Sequence, residues 1–452
     1  MKSIAGCQSG RFPPIKTGMQ VQSHPLPRSG LFNFANRTLP LLWRSRLMPR
    51  PELLEEDLVE RAMRQTGFRE FGDPWFRKPM RALIEAVRQE AALNPVGRTV
   101  AYIHMLKLLK ERLRAEHWFA QFPEIRSRPL PPPIVVVGPM RSGTTRLHRL
   151  LAADERFSHL RLFEAICPVP PGPARPPTSF RRQKDRRHKF ASRTLRTLHL
   201  ANPDTAAIHP TSPFAPEEEL GLLVPTAWGM KHEAQWRIPS YGRWCEWQDA
   251  TLAYQMMADL LRLNAWFRGD CTTRPWLLKT PQHALDLPAL LSVFPDARLI
   301  FIHRDPAAVV GSSCSLVWNQ MLVQSDHVDR RWIGREWLRK TQIKLDRMQQ
   351  ARSQVVGVRM MDVHYEDMDR DWRGEMQRIY AFLDMDIGPV EAAMAEYLNG
   401  YAQESGALPH RYKLADFGLD AGAVREQLLG DGDWSRNSGD RYTRVDALTA
   451  SL

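Results

Sequence analysis

The sequence has no apolar run long enough to cross a bilayer. Its most hydrophobic stretches, such as Ile134–Val137 and Leu299–Ile302, fall far short of the roughly 18 residues a spanning helix needs. Cysteine is scarce: five residues in 452 (Cys7, Cys167, Cys245, Cys271, Cys314), widely scattered and without a C-x-x-C pair. That spacing supports neither a disulfide framework nor a zinc site, so a reducing, cytoplasmic setting is expected. No other metal-ligand spacing is visible, and no metal requirement is expected. The opening Met1–Gly6 lacks the apolar core of a secretory signal. Acid is missing from the first fifty residues, where eight Lys and Arg precede Glu52. A transit peptide has that composition, but so does a flexible basic arm, the preferred reading of residues 1–50. Zinc-finger, RNP-type and basic-zipper patterns are absent, which argues against nucleic acid as partner.

What is present suits a large globular protein. Hydrophobic residues make up 43% and charged residues 25%, enough apolar material for a sizeable core. Lys and Arg number 63 against 50 Asp and Glu, a net charge of +13 that calls for an anionic partner without naming it. Much of the excess is local: Arg175 to Arg196 holds Arg181, Arg182, Lys184, Arg186, Arg187, Lys189 and Arg193 against Asp185 alone. A solvated helix face explains such a run as well as an electropositive rim for an anionic substrate does. A short amphipathic piece near Leu39–Leu47, with Pro40 in its first turn, could rest on the body or on a membrane surface.

From Pro51 to about Phe122 apolar residues recur at helical spacing, as in Leu53, Leu54, Leu58 and Ala62, and a further helix is predicted over Thr99–Trp118. The prolines at 129 and 131–133 end this helical lead-in (51–128). Ile134–Val137 then reads as a buried strand, followed by the loop Gly138-Pro139-Met140-Arg141-Ser142-Gly143-Thr144-Thr145 and a helix. A second α/β stretch predicts strands at Trp276–Lys279, Arg298–Ile302 and about Val355–Met361. Helices are predicted at His283–Phe294, Pro306–Trp318 and Trp372–Leu383. Residues 165–275, rich in Pro, Trp and basic residues, read as an insertion shaping an acceptor pocket within an α/β domain spanning 129–425. Residues 426–452 read as a polar tail.

A G-x-x-x-x-G loop between a strand and a helix turns several N–H groups toward one point and makes an anion cradle. A nucleoside-triphosphate loop would continue Gly-Lys-Ser/Thr. Here Gly143 is followed by Thr144-Thr145, and the cation stands earlier, at Arg141. Small-molecule kinase chemistry is thereby disfavoured, and a nucleotide- or polyanion-binding protein without catalysis is a further alternative. The second anchor is Arg304-Asp305-Pro306, at a strand C-terminal end, where open α/β sheets bind ligands. Ser312 follows Arg304 by eight residues, just over two helical turns, so both suit one phosphate.

The loop and the segment His303-Arg304-Asp305-Pro306…Ser312 resemble the 5′-phosphosulfate and 3′-phosphate motifs of sulfotransferases. A bacterial branch of that superfamily is also resembled by Leu160–Ala165, Pro216-Glu217-Glu218-Glu219, Trp276–His283, Val293–Ala297 and His410-Arg411-Tyr412…Asp416–Leu419. Met140 stands where such loops usually carry Pro. The resemblance implies a P-loop NTPase-like α/β fold, a parallel β-sheet flanked by helices, with a helical N-terminal region and the large insertion. It implies 3′-phosphoadenosine 5′-phosphosulfate as sulfuryl donor, held by Arg141, Ser142, Gly143, Thr144, Thr145, Arg304 and Ser312, with adenosine 3′,5′-bisphosphate as product. It also implies Arg141 and Lys279 as catalytic cations and a hydroxyl or amine acceptor on a small molecule, lipid or carbohydrate. Glu164 and His283 are the leading candidates for the base, with His209 and Glu218 as further ones. The plainer readings are a buried ion pair for Glu164 and a helix-capping ring for His283. Trp236, Tyr241, Trp244 and Trp247 read as packed aromatics rather than a pocket. Gly432-Asp433-Trp434 is a weaker likeness to a late glycine loop.

Overall fold

Four β-branched residues in a row favour extended backbone, and Ile134–Val137 forms strand β1. It is followed by β2 (Leu160–Arg161), β3 (Pro216–Glu217), β4 (Leu277–Lys279), β5 (Arg298–His303) and β6 (Met360–His364). The computed structural model describes residues 28–171, 185–201, 211–355, 357–404 and 412–429. The main sheet has the order β4-β1-β5-β6, with every pair parallel. β2 and β3 form a separate antiparallel pair. Val135, Val137, Leu278, Leu299 and Phe301 enter one core, and Ile134, Val136, Leu277, Ile300 and Ile302 the other. The alternation shows both sheet faces covered, as parallel sheets require. The architecture is α/β, a parallel sheet flanked by helices.

Helices Glu55–Thr66, Arg77–Glu90 and Pro95–Gln121 form the lead-in, with their own cluster around Leu58, Met80, Leu83 and Leu109. The last is longer than the spacing predicts because Asn94 caps it, accepting from the Gly97 N–H at 2.7 Å, with Pro95 in the first turn. Of the basic arm, residues 28–50 are described, and helix Gly30–Arg44 begins well before the predicted piece. Pro40 therefore lies inside it and not in its first turn. Helix Leu287–Val293 starts four residues later than predicted, since Pro288 suits a first turn but not an interior.

The last strand also differs. Helix Arg330–Gln354, which the sequence reading did not pick out, ends in a cap at Val355, and Gly357 turns at φ 83°. Extended pairing therefore begins only at Met360. Helix Leu162–Ile166 runs into the insertion, which contains helices Arg187–Ala201, Lys231–Gln235, Pro239–Glu246 and Thr251–Arg268. Trp236 and Tyr241 are buried and bonded to Gln324 and the Ala227 carbonyl, while Trp247 is exposed. Among the described residues no helix is long and apolar enough to cross a membrane.

Candidate active site

The C-terminal ends of β1, β4 and β5 lie side by side, with Val136 opposite Lys279 and Val137 opposite Phe301. The glycine loop leaves β1 at this edge and enters helix Thr144–Leu151. Gly143, its N-cap, has φ 99°, and a Cβ there would stand 2.2 Å from the Tyr365 ring. Only glycine fits that turn. Arg141 has φ 71°, an uncommon value for a residue with a side chain. Such backbone persists only where its surroundings hold it, and here they do. The Arg141 carbonyl accepts from Arg304 Nη1 at 2.9 Å, and Arg141 Nε donates to Ser312 Oγ at 2.8 Å. Ser313 Oγ donates to the Met140 carbonyl at 3.1 Å, and the Arg304 guanidinium lies 4.0 Å from the centre of the Tyr365 ring.

Arg304 and Ser312, distant from the loop in sequence, are thus stitched to it. Asp305 caps helix Pro306–Gln324, accepting from the Ala307 N–H, and receives two bonds of 2.9 Å from Arg425. The first N–H groups of helix Thr144–Leu151 have no intrahelical partner and lie at the loop. Cradle amides, guanidinium groups and a hydroxyl suit a diphosphate ester with a second phosphate.

Lys279, buried at the end of β4, donates through Nζ to Glu218 Oε2 at 2.8 Å and to Thr145 Oγ1 at 3.3 Å. Its amide donates to Glu219 Oε2 at 3.0 Å. The cation therefore bridges the cradle and the Pro216–Glu219 segment. Glu218 keeps 25% of its side chain exposed.

The two leading candidates for the base are placed differently. Glu164 is fully buried, and its carboxylate accepts from the Arg161 amide and guanidinium at 2.7 to 3.1 Å and from Arg268 Nε at 2.8 Å. Arg268 Nη2 donates to it as well, and Arg187 Nη2 lies 3.7 Å away. Burial raises the pKa of this carboxyl, yet Arg268, Arg161 and Arg187 outweigh it and hold the group well below the usual carboxylate range. Arg187 belongs to the basic run but is turned inward, also bonding Asp185, the Cys167 carbonyl and Asn264. Arg175, Arg181, Arg182 and Lys184 of that run lie outside the described residues, as do His209, His410, Arg411 and Gly432–Trp434.

His283 is fully buried and is not a helix cap. It sits in a turn, with Nε2 on Glu219 Oε1 and Nδ1 2.9 Å from the Tyr254 hydroxyl. Burial pushes the Tyr254 phenol well above its ordinary value, so it keeps its proton beside Nδ1. On the other side of the ring, Nε2 donates to the Glu219 carboxylate, which can only accept when ionised. Neither Glu219 nor Tyr254 was singled out from the sequence. Glu219 could have been sought within the acidic run, but Tyr254 carries no local signal.

The chain matches the sulfotransferase family over residues 132–389. It is 25% identical over 344 residues to an omega-hydroxy-beta-dihydromenaquinone-9 sulfotransferase, Stf3, of Mycobacterium bovis and Mycobacterium tuberculosis, covering 69% of this chain and 76% of the relative. Among solved structures it is similar to sulfotransferase STF1 of Mycobacterium tuberculosis, with 27% identity and a TM-score of 0.71, covering 84% of this chain and 100% of the other. Sulfotransferase STF9 of Mycobacterium avium gives 26% identity and a TM-score of 0.73, covering 83% and 94%. The family match spans more than half of the 452 residues and contains the glycine loop, Lys279, Arg304 and Ser312; the chain belongs to the sulfotransferase family and is a sulfotransferase.

Proposed function

We propose that the protein moves a sulfuryl group from 3′-phosphoadenosine 5′-phosphosulfate to a hydroxyl acceptor. The observation that carries this reading is the joining of Arg141, Arg304 and Ser312 on one glycine loop, with Lys279 bridging to Thr145. The donor supplies a sulfuryl group on a phosphate leaving group: the acceptor oxygen forms the new S–O bond, and the electron pair of the old one departs with adenosine 3′,5′-bisphosphate. In this reading the amides of Ser142–Thr145 and Arg141 hold the 5′ end, and Arg304 with Ser312 holds the 3′-phosphate. Lys279 stabilises the charge that builds on the departing oxygen, in a site where positioning and electrostatics dominate.

The acceptor proton goes to Glu218. Its carboxylate reaches Lys279 Nζ and stays partly exposed, whereas Glu164 and His283 are sealed by their partners. Binding of the donor's negative charge draws Lys279 toward the cradle and leaves Glu218 to face the acceptor. Glu164 then positions the β2 segment, and His283 with Tyr254 positions Glu219, which anchors the Lys279 amide. The mycobacterial relatives are named for an omega-hydroxy substrate, which supports a hydroxyl over an amine and puts lipid alcohols first in a screen.

Calorimetric titration with adenosine 3′,5′-bisphosphate, beside adenosine 5′-monophosphate and magnesium-ATP, tests the donor. Binding that depends on the 3′-phosphate is expected. A preference for magnesium-ATP refutes the assignment.

A further inference from the structure

We infer that the outward face of helix Gly30–Arg44 docks the enzyme on an anionic bilayer surface. Leu31, Phe34 and Leu41 follow each other at three and seven residues and share one stripe, leaving 69%, 64% and 58% of themselves exposed. Thr38 falls in the same stripe but turns its hydroxyl back onto the Phe34 and Ala35 carbonyls, at 3.0 and 3.3 Å. Leu47 and Met48, in the turn that follows, are also exposed. Apart from Thr38, the residues of this stripe are apolar.

The opposite side holds the helix in place. Phe32 is buried, Asn36 Oδ1 accepts from the Val96 N–H at 3.0 Å, and Arg28 pairs with Asp326 and the Ser325 carbonyl. The outward stripe therefore belongs to a docked helix, not to one awaiting its place in the core. Val100 and Ile103 of helix Pro95–Gln121, the helix that Asn36 is bonded to, are exposed as well.

Charge selects the occupant. Arg37 and Arg44 flank the stripe, Arg46 and Arg50 follow it, and all four are exposed. No acidic residue occurs before Glu52, which pairs with Arg98. Among the described ion pairs these four arginines have no member. An apolar stripe bordered by uncompensated cations fits an interfacial helix, with its side chains among the acyl chains and its guanidinium groups at anionic headgroups. A second copy of this chain would bring the same four cations and meet repulsion. The inference does not rest on the sulfuryl-transfer reading, because the stripe shares no residue with the donor site.

Co-sedimentation of the full chain with vesicles tests it, using phosphatidylcholine alone and phosphatidylcholine mixed with phosphatidylglycerol. Binding is expected to the mixed vesicles only, and to fall as salt rises. Phe34→Ser with Leu41→Ser, and separately Arg37→Glu with Arg44→Glu, should each weaken it roughly tenfold or more. Circular dichroism and thermal unfolding like those of the wild type establish that both variants fold. Absence of binding to mixed vesicles overturns the inference, as does equal, salt-independent binding to both kinds. Binding unchanged in both folded variants overturns it too. Self-association abolished by Phe34→Ser with Leu41→Ser, without vesicle binding, would reassign the face to a contact between copies.

Discussion

Replacing Glu164 by Gln separates a structural carboxylate from a catalytic one. The substitution keeps shape and removes one negative charge from among Arg161, Arg187 and Arg268, and Arg187 is itself buried. Removing one partner of a buried ion cluster costs about 3–5 kcal/mol, because the cations left behind stay desolvated. That loss should appear at pH 7 as a lowered urea midpoint. Its pH dependence has a definite sign. The folded-state pKa of Glu164 is depressed, so the stability it contributes is complete above the unfolded value of about 4.3 and is lost as pH falls through the folded value. The gap between wild type and Glu164→Gln should therefore be widest near neutrality and narrow below about pH 5. Turnover of the folded variant should fall by much less than the roughly 100-fold that loss of a base costs. Stability within about 0.5 kcal/mol of wild type, the range of ordinary surface substitutions, combined with such a collapse in turnover, would refute the reasoning.

Glu218→Gln should lower kcat by roughly 100-fold or more while adenosine 3′,5′-bisphosphate binds as to the wild type; near-normal kcat would remove Glu218 as the base. Lys279→Ala should cost more in turnover than in affinity for the intact donor, since the charge it faces builds on the departing oxygen only as the S–O bond breaks; unchanged turnover in a steady-state assay would take it out of the site. Arg304→Ala should weaken adenosine 3′,5′-bisphosphate by about 1.5–3 kcal/mol, roughly 10- to 150-fold, and leave adenosine 5′-monophosphate nearly unaffected, by calorimetry. Equal losses for both nucleotides would argue against a 3′-phosphate role.

The parts of this protein written in its sequence are those that depend on near neighbours in the chain. The β-branched run of β1 has the predicted bounds, since four such residues after a proline stretch have little else to form. The glycine loop was visible because strand, turn and helix N-terminus are consecutive, and Arg304 with Ser312 because a helix relates positions eight apart. Val355–Met361 misled because β-branched residues near a helix end look like a strand, while the continuing helix and Gly357 decide otherwise.

Glu164 and His283 were equally attractive as bases when only their neighbours in sequence could be read. What separates them from Glu218 comes from Arg268, Arg187, Tyr254 and Glu219, which reach them from 23 to 104 residues away. Residue type and local spacing determined the glycine loop and the strand-end Arg304 with Ser312. A carboxylate's ability to accept a proton depends on its burial and on the charges around it, and only the tertiary structure decided which groups those are.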